Sequence, residues 1–316
     1  MTEEFPYALM ERAWKIMRKS ISTYLNHFQY YATASVLLML PFSATALLIS
    51  QTLFSSSQIS LELYFSSPKF TFFPITNTKS YFSSQTFFSS VLIMPFALSS
   101  LLLSKASIIQ ALKDNNNPKR PCSQTPFFSC LSLYKPLLIT QLFNMILSVS
   151  IIASTSLIST AFSSLEAFGF FNAMLRTICG LVFYAIITNT AVLCNLSLAV
   201  AGLENCAGYK AMHKAYLLRK GSNSIAMLLA LPTNIGLASI EALFCLRVVR
   251  AYNHDLDHGL IQRPSPSMAF EGILIAYLYS IVVVLDTIAC CLFLKSCRSD
   301  SSTENPIGFC NNFELV

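Results

Sequence analysis

Asp286 is the residue best placed for chemistry, because it stands inside the apolar run IVVVLDTIACC. An ionisable group in hydrocarbon is expensive and, when kept, points to a function. At 1.5 Å of rise per residue, Asn144, Asn195 and Asn234 fall within a turn or two of its depth in three other apolar runs. No Lys or Arg is expected inside the runs at that depth. The carboxyl is therefore expected to be neutralised or hydrogen-bonded within a polar cluster of Asp286, Asn144, Asn195 and Asn234. Two chemistries fit it: plain interhelical hydrogen bonding, at about 0.6 kcal/mol per bond, or a proton or ion relay.

Other groups point to chemistry less strongly. Glu241 lies toward the far end of its run, where it can reach the interface or meet Arg247 or Arg250. His254, Asp255, Asp257 and His258 put two imidazoles at i and i+4, which on a helix would suit a metal. The flanking Asn253 and Gly259 favour a solvated turn, so no metal site is expected. Most of the ten cysteines lie in or beside apolar stretches, as small hydrophobes do. Cys290, Cys291 and Cys297 flank the end of the last run, where thiols are candidates for S-acylation. There is no phosphate loop, no G-x-S-x-G and no H-E-x-x-H. Neither a catalytic residue nor a cofactor is expected. No basic and aromatic stretch suits nucleic acid.

The elements that must hold these groups follow from composition. The 316 residues are 54% hydrophobic and only 11% charged, against roughly 25% charged in a soluble domain. A spanning helix needs about 20 mostly apolar residues. Six windows qualify, near residues 30–53, 87–103, 136–160, 177–203, 222–246 and 269–294. The second is short and holds Pro95. Its helix can continue past Lys105, whose ammonium would snorkel to the interface. The predicted fold is all-α, a polytopic transmembrane bundle of about six helices with an N-terminal interfacial amphipathic helix. Residues 1–29 form a cytoplasmic amphipathic segment, 30–295 the six-span domain, and 296–316 a disordered cytoplasmic tail.

Basic residues set the expected orientation. Arg12, Lys15, Arg18 and Lys19 precede the first span. Lys105, Lys113, Lys119, Arg120 and Lys135 follow the second. Lys210, Lys214, Arg219 and Lys220 follow the fourth, and Lys295 and Arg298 end the sixth. These fifteen face the six on the other side, which predicts both termini in the cytoplasm. Endoplasmic reticulum and plasma membrane are not distinguished. The N-terminal stripe of Met10, Trp14, Met17, Ile21, Tyr24 and Phe28 is expected to lie on the cytoplasmic leaflet or against the bundle's own end. The 54–86 connection carries a weak strand pattern and is expected to fold back on the membrane surface.

The stretch from Asn189 to Gly221, NTAVLCNLSLAVAGLENCAGYKAMHKAYLLRKG, and the ending DTIACCLFLKSCRS resemble a family of plant multi-pass membrane proteins of unknown function. That family is distantly similar to the membrane domain of bacterial glycerophosphodiester phosphodiesterases. The resemblance implies a six-span bundle with no attached catalytic domain and supplies no catalytic residue. Physically, residues 205–220 suit a short amphipathic helix. Glu204 stands at its start, Arg219 and Lys220 at its end, Gly208 allows close approach and Gly221 a stop. Lys210, Lys214, Arg219 and Lys220 are candidate lipid-headgroup contacts. The expected function is non-catalytic organisation of lipids or partner proteins. The partners are the bilayer, anionic lipids or other membrane proteins. The alternative is a transporter or channel using Asp286.

Overall fold

The computed structural model describes residues 4–48, 80–114, 126–163, 169–220, 222–249 and 266–304. Eight helices account for the described chain. They are α1 (Glu4–Asn26), α2 (Phe28–Leu48), α3 (Ser80–Asp114), α4 (Pro126–Ser163), α5 (Gly169–Glu204), α6 (Tyr209–Lys220), α7 (Asn223–Val249) and α8 (Pro266–Glu304). Six of them, α2, α3, α4, α5, α7 and α8, are long and apolar enough to cross a membrane. The chain is an integral, multi-pass membrane protein. Hydrocarbon offers the backbone no hydrogen bonds, so apolar segments must satisfy their peptide groups internally, and helices do so. Pro95, Pro136 and Pro232 lie within helices. The Thr140 hydroxyl back-bonds to the Pro136 carbonyl four residues before it, at 2.8 Å. α2 opens, and α7 closes, on a π-helical turn.

The second span differs from its predicted 87–103 window. The spanning part of α3 is Pro95–Lys113, and 61% of it is buried, more than in any of the other five. Its packed face carries Ser100, Ser104 and Ser107 between Ala97, Leu101 and Ile108. Small residues of this kind let neighbouring backbones approach. Lys105 therefore lies inside a span and within the protein, 6% exposed, rather than snorkelling.

α8 is the central strut. α7 runs antiparallel to it, pairing Thr233 with Asp286, Gly236 with Val282 and Phe244 with Gly272. α2 does the same on another side, with the hydroxyls of Ser43 and Ser280 bonded at 2.7 Å. One large core joins all eight helices. A smaller one, from Leu47, Phe244, Ile275, Ala276 and Tyr279, closes the opposite end. α8 continues as helix to Glu304, past residue 295 where a disordered tail was predicted.

α1 packs on α7 and α8 and has three faces. Ala13, Ser20 and Tyr24 are buried, and the Ser20 hydroxyl donates to the Leu285 carbonyl at 3.4 Å. Met10, Trp14, Ile21 and Leu25 are exposed and fall within about 60° of arc at 100° per residue. Arg12, Lys15, Arg18 and Lys19 form a third, exposed face. The predicted stripe is thus divided: Tyr24 faces the bundle and Met17 is half-buried, while the rest stays outside.

Between α5 and α6 the chain turns through Asn205 and Gly208, both in the left-handed region at φ 57° and 62°. Gly208 is there for that conformation, and its N–H donates to Thr140 Oγ1 at 3.0 Å. Gly208 also lies against α4, where a Cβ would stand 3.4 Å from Ile139 Cγ2, and a tighter approach lies at Gly202, where a Cβ would stand 2.5 Å from Ile109 Cδ1. α6 then folds back on α5, with Ala211 and Ala215 fully buried beneath it.

Candidate functional site

Asp286 projects from the middle of α8 between α5 and α7. Its Oδ1 accepts from the Thr233 hydroxyl at 3.1 Å, and its Oδ2 from Asn195 Nδ2 at 3.3 Å. The other end of that amide, Asn195 Oδ1, accepts from Lys105 Nζ at 3.4 Å. A chain of polar groups thus joins α3, α5, α8 and α7. The expectation that no cation reaches Asp286 is overturned: Lys105 reaches its network through one amide. The reason is geometric, because α3 extends a full span beyond Pro95 and turns the Lys105 face inward.

A small cavity of about 30 Å³ lies beside this network, room for one or two waters. Asn195, Thr233, Asn234 and Asp286 supply its polar lining, and Val192, Leu196, Ala226, Leu229 and Phe293 most of its apolar wall. Asn234 is exposed at its edge.

Of the four predicted cluster residues, Asp286, Asn195 and Asn234 line one cavity. Asn144 does not line it, but bonds the neighbouring part of α5. Its Nδ2 donates to the Cys194 carbonyl at 3.2 Å, and its Oδ1 accepts from the Ser197 hydroxyl at 3.2 Å. Thr233, and Lys105, which the sequence places at the interface, lie outside the predicted cluster. The serine series around Lys105 was the available signal, since a helix bordered by small polar residues is one enclosed by neighbours. Thr233, following Pro232 in an apolar run, gave none.

The four basic residues of the α6 region separate. Lys210 and Lys220 are exposed, while Lys214 is paired with Glu204 at 2.5 Å. Arg219 is not a headgroup contact. It is buried, donates through Nε to Asn223 Oδ1 at 2.7 Å and through Nη1 to the Asn189 carbonyl at 2.9 Å, and reaches Asn189 Oδ1 with Nη2. It clamps α5, α6 and the start of α7 together. Burial lowers its pKa from the ordinary arginine value.

Cys290 lines the cavity and Cys291 is buried, so both thiols point into the bundle rather than to an interface. Cys290 and Cys297 are half-buried. Glu241 accepts from the Tyr279 hydroxyl of α8. The 254–258 motif, and the 54–86 segment as far as residue 79, lie outside the described residues. From Ser80 onward the chain is helix α3. Among the described residues no cluster of His, Cys, Asp and Glu could hold a metal.

No family model, curated protein or solved structure matches the chain.

Proposed function

We propose that this protein organises lipid around a helical bundle, without catalytic activity of its own, and that both termini face the cytoplasm of an endoplasmic-reticulum or plasma-membrane bilayer. The divided surface of α1 carries the reading. One face docks on α7 and α8, a second offers Met10, Trp14, Ile21 and Leu25, and a third offers Arg12, Lys15, Arg18 and Lys19. An apolar strip beside a cationic one, on a helix that joins directly to a span, suits the headgroup boundary of an anionic leaflet. The excess of Lys and Arg at the same end supports that side being cytoplasmic. The resemblance to plant six-span proteins without a catalytic domain agrees with a non-catalytic role, and other membrane proteins could share the same surfaces.

Trp14 is the only tryptophan in the chain and is 67% exposed on the apolar strip, so its fluorescence reports α1 alone. In nanodiscs, lipids brominated on the acyl chain should quench it, more strongly when phosphatidylserine is present. Replacing Lys15 and Lys19 by Gln should remove the phosphatidylserine dependence. Trp14 emission typical of water, with no quenching, would refute lipid contact by α1. Tags at the two ends should be reached only from the cytoplasmic side.

The Lys105–Asn195–Asp286 chain supports a second reading, proton or cation transport. Flux through proteoliposomes that Asp286→Asn abolishes, with folding intact, would favour it. Absence of flux for every tested cation would favour the first.

A further inference from the structure

We propose that the cavity beside Asp286 binds the single hydroxyl of a neutral membrane lipid, such as a diacylglycerol or a sterol, which reaches it from the bilayer between α5 and α7.

The hydrogen-bond inventory of the cavity selects this chemistry. Asn195 spends its Nδ2 on Asp286 and its Oδ1 on Lys105. Each Asp286 oxygen accepts one bond, and a carboxyl group has room for about four. Asn234 offers an amide with both a donor and an acceptor. Among the described residues nothing bonds that amide, although it stands in the middle of a span and at the cavity edge. In hydrocarbon such a group is poorly tolerated without a partner. A hydroxyl, one donor and two acceptor positions, can donate to Asp286 and accept from Asn234.

Charge favours a neutral ligand over an ion at this cavity. A cation would meet the Lys105 ammonium that already faces this network, and an anion would meet Asp286. Size agrees as well: about 30 Å³ admits a hydroxyl but not a phosphate headgroup. Ala191, Ala226 and Ala230 keep the wall shallow, which leaves room for the apolar body of the lipid along the flank of the bundle. The site shares the lipid-organising reading but does not depend on α1.

The test uses the full-length protein in phosphatidylcholine nanodiscs, with photoactivatable diacylglycerol and photoactivatable sterol as separate probes. Cross-linked peptides should come from α5 and α7 around Ala191 and Ala230. The free alcohol should compete for labelling roughly tenfold better than its O-methyl ether, which lacks the donor. Whichever alcohol competes better identifies the source. Asn234→Leu, at an exposed position that tolerates an apolar side chain, should lower labelling to a similar degree, and Asp286→Asn likewise. Ile235→Ala, on another face of α7, should not. Equal competition by alcohol and ether, labelling unchanged in Asn234→Leu, or absence of labelling by both probes would overturn the proposal. The alcohol–ether comparison needs no variant, so it decides even if Asp286→Asn does not fold. Trp14 quenching should be unchanged in Asn234→Leu, which separates failure of this site from failure of the α1 reading.

Discussion

The Lys105 ammonium and the Asp286 carboxylate are joined through a single side chain, the amide of Asn195, which accepts from one at 3.4 Å and donates to the other at 3.3 Å. The two groups face one another across a neutral bridge, so neither lacks a polar partner in the bundle. Removing one member of such a buried network leaves a polar group unsatisfied, at about 1–3 kcal/mol. Lys105→Met and Asp286→Asn should each destabilise to that extent. The double variant should lose less than the sum of the two, by about 1–3 kcal/mol. Reversible unfolding in mixed detergent micelles measures the cycle. Strict additivity would mean that Asn195 transmits nothing between them.

Much of this arrangement was legible in the sequence because depth in a spanning helix is simple to count. Asp286, Asn195 and Asn234 were matched by depth alone, and they meet at one cavity. Lys105 escaped because hydropathy marks where charge appears, not which way a helix face turns. A lysine ending an apolar window looks like a terminator unless its serine-rich surroundings are read as a packing face. Arg219 escaped for a different reason. Its burial depends on α6 folding back along α5, which two left-handed residues, Asn205 and Gly208, direct. A basic amphipathic segment by itself gives no sign of that direction.

Arg219 is a clamp whose geometry a lysine cannot reproduce. Its planar fork holds Asn189 and Asn223 at once, whereas an ammonium is a compact point donor. Arg219→Lys should destabilise the protein by about 1–3 kcal/mol and raise hydrogen exchange in α6. Lys220→Gln, one residue on but exposed, should do neither. Matching exchange profiles for the two variants would argue against the clamp.

Tyr24 carries the opposite lesson, a polar group that the fold leaves unused. Its ring is buried and stacks on Tyr31 at 6.0 Å between centroids, yet its hydroxyl has no partner among the described residues. Tyr24→Phe should therefore be neutral or stabilising, by up to about 1 kcal/mol. Burial, and secondarily the charge that Tyr277 takes on when it ionises, raises its pKa above the ordinary tyrosine value. The folded state then keeps a proton that the unfolded state has released. Stability from this group is full below pH 10 and falls as pH rises through the folded value. Alkaline titration followed by Trp14 emission should show α1 loosening above pH 10, and Tyr24→Phe should reduce that loss. An identical alkaline profile in the variant would remove Tyr24 as its origin.

The tightest helix approach lies between α5 and α3. A Cβ at Gly202 of α5 would stand 2.5 Å from Ile109 Cδ1 and 3.2 Å from its Cγ2 on α3. The first atom is the tip of a side chain, and such tips often move aside. Ile109 is fully buried, however, and overpacking of a filled core commonly costs about 1–3 kcal/mol. Gly202→Ala should destabilise within that range and separate α3 from α5, with a matching loss at the Lys105–Asn195 contact between the same two helices. Ile109→Val removes the offending Cδ1 at about 0.5–1.5 kcal/mol on its own. Combined with Gly202→Ala it should restore part of the loss, which thermal unfolding of the four proteins in one detergent would reveal. If the double variant instead loses the sum of the two singles, the strain of Gly202→Ala lies somewhere other than Ile109.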